Sequence, residues 1–184
     1  MDHPRVVRDP RALRALAHPL RQQILRRLSQ EGPATSAILA RELDEDRGAT
    51  SFHLRQLAQY GFVVVDEERS AGRRKYWRIV PEDVRFPTPA DEPELAAESA
   101  LVVSQLWKDS LADLVRFYGR GDPWVEDAEL SHSHMRLTQD ELRAFGEEYL
   151  ALLRRYATRL AEETPPDARP VTALFAAFPN QPPE

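Results

Sequence analysis

Four segments in the first 60 residues carry apolar side chains with helical spacing. The second segment shows it most plainly, because Leu20, Ile24 and Leu28 fall at i, i+4 and i+8 on one face of a helix. Proline or a capping side chain opens most of these segments, and proline, glycine or a charged turn closes them. The pattern predicts helices at about 10–17, 19–30, 36–43 and 47–60.

The fourth of these helices has both of its ends marked in the sequence. Asp46 can cap its N-terminus, and Gly61 follows its last turn, where a left-handed residue is favoured. Thr50, Leu54 and Leu57 fall at i, i+4 and i+7 and form the predicted packed face. The remaining surface of the helix, which begins with small and polar residues, is then predicted to be exposed.

A β-hairpin is predicted directly after this helix. FVVV and KYWRIV are apolar and β-branched or aromatic, and the polar stretch between them contains Gly72. Three cations, Arg73, Arg74 and Lys75, lie at the predicted tip. A helix, a charged turn, a second helix and a hairpin, in this order, are typical of a winged helix-turn-helix, whose second helix enters the major groove of DNA.

The composition changes at Pro81. The 13 residues that begin with Pro81 contain four prolines, which predicts a linker at 81–93. Long amphipathic helices are predicted at about 94–118 and 139–163, the second opened by a capping box from Thr138 to Glu141. A short helix at Asp122-Pro123 and strands at about 130–137 and 169–179 complete this part. The predicted fold is mainly α with small β: a winged helix-turn-helix at 1–80, the linker at 81–93, and a helical dimerisation region with a short β element at 94–184.

The charge changes sign at the same boundary. Up to Val80 the chain has 15 Lys and Arg against 10 Asp and Glu, and beyond it 10 against 20. The formal net charge of −5 therefore hides a basic first half. Because clustered cations favour contact with phosphates, the first half is predicted to bind double-stranded DNA.

Several classes of chemistry have no residues to support them. The chain has no cysteine, which excludes disulfides and thiolate metal sites. It shows no phosphate-binding loop, no G-x-S-x-G and no H-E-x-x-H, so we expect neither an enzyme nor a cofactor. No apolar run approaches the roughly 18 residues of a membrane helix, and no secretory signal opens the chain, so we expect a cytoplasmic protein without membrane contact.

The exposed surface of the fourth helix offers groups that suit a major groove. Arg47 can donate to guanine O6 and N7, Ser51 to a base edge or a phosphate, and Phe52 can touch a thymine methyl group. The helix and the hairpin tip together give the predicted DNA contacts: Arg47, Ala49, Thr50, Ser51, Phe52, His53, Arg55, Arg73, Arg74 and Lys75. His53 and Arg55 are better placed for phosphates, and Thr50 belongs to the packed face as well.

At these residues the chain resembles a known family. LRALAHPLRQQILRRL, TSAILARELDEDRGATSFHLRQLAQYGFVVVDEE and GRRKYWRI resemble the DNA-binding domain of the arsenical-resistance-repressor (ArsR) type of bacterial regulators, over about 10–80. The resemblance implies a homodimeric transcriptional regulator, usually a repressor that a ligand releases from DNA. The predicted contacts on the fourth helix and at the hairpin tip, Thr50 excepted, correspond to the family's recognition and wing positions.

The chain also departs from this family. The helix at 36–43 lacks the cysteines with which many members sense soft metals, and about 100 residues follow the end of the resemblance at Ile79. His132 and His134 stand at i and i+2 without a carboxylate at ligand spacing, so no metal site is predicted.

Aromatic residues in the second half have two interpretations. Core packing is the simpler one, and a small-molecule effector pocket lined by Trp107, Phe117, Trp124 and Tyr149 is the other. Two further classes of function stay open beside the DNA-binding regulator. One is a winged helix that binds protein instead of DNA, and the other is an enzyme fused to a winged helix.

Overall fold

The computed structural model describes residues 5–72, 74–80, 84–157 and 165–179. The chain forms two compact units, Met1–Val115 and Arg116–Glu184. Among the helices of the described residues, none has the length and apolar character to cross a bilayer.

Four short helices form the first part of the first unit. Asp9, Thr35 and Asp46 each accept a hydrogen bond from a backbone N–H of the turn that follows, as the sequence predicts for three helix starts. The four predicted helices are confirmed, with bounds shifted by one residue at most: α1 Pro10–Leu16, α2 Pro19–Glu31, α3 Ser36–Glu42 and α4 Arg47–Gln59.

The predicted hairpin is present and belongs to a three-stranded sheet. Strands β3 (Val63–Ala71) and β4 (Arg74–Ile79) pair antiparallel, and β2 (Ala34–Thr35) pairs with the other edge of β4. Two further strands, β1 (Arg5–Val6) and β5 (Val84–Arg85), pair in parallel as a separate ribbon. The hairpin is therefore confirmed, whereas the two-residue strands were absent from the prediction.

The first unit has one apolar core, to which all four short helices contribute. Leu13, Ile24, Leu39, Leu54 and Leu57 are completely buried in it. The packed face predicted for α4 is thus confirmed, and Arg47, Phe52 and Arg55 on the remaining surface of the helix are exposed.

The first unit extends beyond the predicted linker. Leu95 and Val102 are buried in the same core, and Leu106 packs against it. Val102 and Leu106 lie on α5 (Ala96–Gly119), and Leu95 ends the 3-10 turn before it. The proline-rich segment is therefore not a boundary between compact units, because β5 pairs with β1 and Phe86 also packs on the core.

Three ion pairs attach this continuation to the helices before it. Glu98 accepts from Arg14 at 3.0 Å, and two further pairs join Arg8 with Glu92 and Arg26 with Asp113. Arg14 of α1 and Arg26 of α2 thus contact α5, and Arg8, before α1, contacts the segment that precedes α5.

The second unit contains a short 3-10 helix, Pro123–Glu126, and α6, Gln139–Ala157. The predicted capping box is confirmed, since Thr138 Oγ1 accepts from the N–H of Glu141 at 3.3 Å and the Glu141 carboxylate accepts from the N–H of Thr138 at 2.7 Å. The predicted end of this helix near residue 163 lies outside the described residues.

The segment 165–179 packs through side chains. The ring of Phe175 stacks on that of Tyr149 at 3.9 Å between centroids, and Arg169 donates two hydrogen bonds to Asp122, at 2.9 and 2.7 Å. The strands expected at 130–137 and 169–179 are wrong, because the residues there are irregular and no strand of the described ranges pairs with them.

Candidate nucleic-acid interface

The start of α4 is fixed by its N-cap and exposed to solvent at its first residues. The Asp46 carboxylate accepts from the N–H of Ala49 at 2.9 Å and fixes the first turn. Arg47 and Gly48 are exposed there, and a side chain on Gly48 would approach the Asp46 carboxylate to 2.9 Å. The absence of a side chain at residue 48 therefore preserves the cap and leaves backbone accessible at the start of the helix.

Phe52 and Thr50 lie on opposite sides of this helix. Half of the Phe52 side chain is exposed, at 50%, which confirms the predicted exposure. Thr50 is completely buried, and its hydroxyl donates to the carbonyl of Asp46 at 2.9 Å. Thr50 is therefore corrected from a predicted DNA contact to a core residue, because its packing face points away from solvent.

A groove of about 540 Å³ lies between α4 and the sheet. It joins the first turns of α4 to β4 and to the start of α3. Its lining consists of Ser36, Arg47, Gly48, Ser51, Arg55, Arg74, Lys75 and Trp77. Five of the predicted contacts thus meet at one surface, which we call the α4–wing groove. Arg73 lies outside the described residues.

The cations of the α4–wing groove differ in their partners from four other arginines of the first unit. Within the described part of the chain, Arg47, Arg55, Arg74 and Lys75 form no ion pair. The arginines at 8, 14, 26 and 27 are all paired with carboxylates. Positive charge is therefore left for an external anion at the groove and neutralised at these other positions.

Two of the groove cations are oriented by neighbouring side chains. Arg55 donates to the Ser51 hydroxyl at 3.2 Å, one helical turn away. Arg74 lies over the Tyr76 ring at 5.3 Å from its centroid, within the range of a cation–π contact. Part of the groove is therefore arranged before any ligand arrives.

His53 is half-buried and has protein neighbours. Its ring lies 4.4 Å from that of His18, and its Nδ1 is 3.4 Å from a guanidinium nitrogen of Arg21. Burial, then the His18 and Arg21 charges, lower the pKa of His53. Burial, then Arg21, likewise lower the pKa of His18, which Glu45 partly opposes. Neither His18 nor Arg21 was among the residues predicted from the sequence.

Two residues that line the α4–wing groove from outside α4 were also missing from the prediction. Ser36 opens α3, and Trp77 lies on β4 opposite Ala34. Ser36 and Trp77 reach the groove because β2 pairs with β4. A strand as short as β2, with two residues, shows no periodicity in the sequence and could not be predicted.

The four aromatic residues of the predicted effector pocket divide between the two units. Trp107 is partly exposed on α5 in the first unit. In the second unit, Arg169 lies over Trp124 at 4.8 Å, and a space of about 330 Å³ adjoins Tyr149 and Phe175. Phe117 contacts Tyr118 edge to face. The pocket itself stays a prediction.

The imidazoles of His132 and His134 lie 4.8 Å apart on an exposed segment. Within the described ranges, no group of three or more metal-ligating side chains is present.

The first unit matches a known family over its central part. Residues 16–66 match a helix-turn-helix domain model, HTH_20, and this range contains α2, α3 and α4 and the first four residues of β3. Together with the three-stranded sheet, the match makes the first unit a winged helix-turn-helix module, of the kind found in DNA-binding transcriptional regulators. No curated protein matches the chain significantly.

Solved structures show a more limited likeness. A fragment of a possible transcriptional regulatory protein from Mycobacterium bovis is 29% identical, with 54% of this chain and 88% of that chain covered and a TM-score of 0.35. The MarR family transcription regulator SP03579 is 20% identical over 84% of this chain and 80% of that chain, with a TM-score of 0.37. Lactococcus lactis ZitR, as an apo C30AH42A mutant, is 13% identical over 76% and 83%, with a TM-score of 0.36.

Proposed function

We propose that this protein is a homodimeric repressor, similar to the ArsR type, that binds an inverted-repeat DNA operator through α4 and the wing. The wing is the β3–β4 hairpin. The observation that carries the proposal is the α4–wing groove, where four cations without carboxylate partners in the described structure adjoin the exposed start of α4.

Base reading is assigned to the first two turns of α4. Arg47 is exposed at the first turn and can present two donors to guanine O6 and N7. Ser51, one turn further, can donate to a base edge, and the half-exposed ring of Phe52 can touch a thymine methyl group. Ala49 presents a small side chain that permits close approach.

Phosphate contact is assigned to the cations at the groove's other side. Arg74 and Lys75 on β4, together with Arg55 on α4, surround the groove without lying at the start of α4. Such contacts position a duplex without discriminating between sequences. The proposal therefore separates residues that choose the sequence from residues that supply affinity for any duplex.

Dimerisation is assigned to α5 and α6, because both helices have apolar side chains that are exposed to solvent in the monomer. On α5, Leu111 is 56% exposed, and on α6, Tyr156 is 70% exposed. A second copy related by a two-fold axis would cover such residues and place two α4 helices about 34 Å apart, one turn of duplex. This spacing is the reason for proposing an inverted repeat.

Release from DNA is assigned to an apolar or aromatic small molecule. Without cysteine, the chain has no thiolate with which to sense soft metals or oxidants. An effector can shift the DNA equilibrium only by binding one dimer geometry better than another. The candidates for contact with such a molecule are the predicted residues of each unit, Trp107 in the first and Phe117, Trp124 and Tyr149 in the second.

Selection of genomic DNA fragments by the full chain, followed by gel-shift assays, tests the proposal. Arg47→Ala and Ser51→Ala should change which sequences are selected, because each bidentate base contact discriminates by about 1–3 kcal/mol. Arg74→Ala is the matched control and should weaken binding to selected and random DNA alike. Equal loss on both for Arg47→Ala would remove that residue from the base-reading set.

Two results would contradict the proposal as a whole. One is an absence of salt-dependent DNA binding, which would favour a winged helix that binds protein. The other is sedimentation as a monomer at micromolar concentration, with and without DNA, which would remove the dimer and the inverted repeat.

A further inference from the structure

The two strands of the wing have unequal lengths near its tip. Asp66 pairs with Tyr76, and the next pair is Ala71 with Arg74, so four residues of β3, 67–70, lie opposite Lys75 alone. Bulges of this kind redirect a strand and the side chains next to it. Of the four residues opposite Lys75, Ser70 alone is half-buried, and the other three are exposed.

The hydroxyl of Ser70 bridges the two strands at the base of this bulge. It donates to the carbonyl of Asp66 at 2.6 Å and accepts from the N–H of Tyr76 at 2.9 Å. A hydroxyl is a side-chain group that can donate and accept at once, so one atom satisfies backbone groups on both strands. The bulge is held further by Asp66, whose buried carboxylate accepts from the N–H of Arg69 at 3.2 Å.

The bridge connects Ser70 with a groove cation. Its partner Tyr76 is half-buried, and the ring of Tyr76 lies under the guanidinium of Arg74. Arg74 lines the α4–wing groove beside Arg47 and Arg55. The Ser70 hydroxyl therefore holds the backbone that carries the Tyr76 ring, and the ring limits the directions in which Arg74 can extend.

We propose that Ser70 is a positioning residue for DNA binding: it holds the wing bulge so that Tyr76 directs Arg74 to a backbone phosphate. This inference rests on the proposed DNA-binding function and adds a residue to it that touches no DNA. Because the contact is with a phosphate, the effect is on affinity for any duplex and on its salt dependence.

The salt dependence of DNA binding measures this role. Each phosphate contact contributes about 0.9 to the slope of log affinity against log salt concentration. With a fluorescein-labelled mixed-sequence duplex and the full chain, Ser70→Ala should lower the slope by about this amount. When NaCl rises from about 50 to 200 mM, the wild type should lose DNA affinity by a factor about 3.5 times larger than the factor that Ser70→Ala loses.

Matched variants separate positioning from a general loss of folding. Ser70→Thr keeps the hydroxyl and should retain the wild-type slope. Tyr76→Leu leaves the Ser70 hydroxyl in place but removes the ring, so it should lower the slope as Ser70→Ala does, whereas Tyr76→Phe should not. Arg74→Ala should show the same loss, and the double variant with Ser70→Ala should lose no more.

If the wild-type chain binds DNA but Ser70→Ala and Tyr76→Leu leave the salt slope unchanged, the inference about Ser70 is overturned. The proposed DNA-binding function is then unaffected. Additive losses in the Ser70 and Arg74 double variant would overturn it as well. A wild-type chain without salt-dependent binding would instead overturn the proposed function on which the inference rests.

Discussion

The imidazole rings of His18 and His53 face each other at 4.4 Å, with an angle of 41° between their planes. His18 Nδ1 accepts the N-cap hydrogen bond of α2 from the N–H of Leu20 at 3.2 Å. His53 Nδ1 faces Arg21, whose guanidinium can only donate. Both contacts require an unprotonated Nδ1, so the pair joins the start of α2 to the middle of α4 only while both rings are neutral.

Stability should therefore decrease as the pH falls below about 6.5, the ordinary histidine pKa. Because the pKa values of His18 and His53 are lowered in the folded state, the unfolded chain binds these protons at a higher pH than the folded chain does. Their contribution is complete above pH 6.5 and is lost on acidification through the lower pKa values of the folded state. Thermal unfolding between about pH 7.5 and 5.5 measures it.

A variant with His18→Asn and His53→Gln is the matched control for this pH dependence. Asn keeps an N-cap acceptor, Gln keeps an acceptor for Arg21, and neither side chain titrates. The fall in melting temperature on acidification should be smaller in this variant. Identical falls in both proteins would contradict the assignment of neutral rings.

Replacement of neighbouring residues on α4 should separate stability from DNA affinity. Leu54→Ala removes a fully buried side chain and should lower the free energy of unfolding by about 2–5 kcal/mol. Phe52→Ala changes a half-exposed ring, so stability should change by less than about 0.5 kcal/mol while DNA affinity falls. Urea unfolding and gel-shift assays on both variants distinguish the two effects, and a large loss of stability in Phe52→Ala would place its ring in the core.

A fragment of residues 1–115 should fold, and one of residues 1–82 should be much less stable. The shorter fragment lacks β5 and the buried side chains of Leu95 and Val102, each worth about 1.5–3 kcal/mol. Circular dichroism during urea titration compares them. Equal midpoints would mean that α5 adds nothing to the first unit.

The carboxyl group of Asp122 should titrate far below the usual range. The two hydrogen bonds from Arg169, with a further one from the N–H of Trp124, lower its pKa to about 2. NMR titration of the Asp122 carboxyl carbon should give this value, and Arg169→Gln should raise it towards 3.8, the ordinary value. An unaltered pKa in that variant would show that Arg169 does not hold the charge.

The elements that the sequence predicted well are those whose signals are local. Asp46 as N-cap, Gly61 after the helix, and the spacing of Thr50, Leu54 and Leu57 all lie within one segment, and the structure contains each. The groove contacts predicted on α4 follow from the same spacing, since a known packed face defines the exposed one. Thr50 shows the limit, because one residue was assigned to both faces.

The features that the sequence missed depend on partners far along the chain. β1 and β5 have two residues each and are separated by about 80 residues in the sequence. Neither strand is long enough to show a hydrophobic pattern of its own. The alternation in LSHSHMRL predicted a strand, but no described strand lies beside it, and an isolated strand has nothing to satisfy its backbone. The burial of Val102 with Leu54 likewise becomes visible only when α5 is placed on the core.

The guanidinium of Arg5 donates to the carbonyl of Tyr60 at 2.6 Å, at the end of α4, while the strand that contains Arg5 pairs with Val84 and Arg85. During synthesis, α4 leaves the ribosome well before residue 85, so β1 can pair with β5 only after α4 has been made. Contacts of such long sequence separation slow folding, because the loop must close before the contact forms. The first unit should therefore refold more slowly than a helical bundle of equal size, with the ribbon of β1 and β5 among the last elements to form.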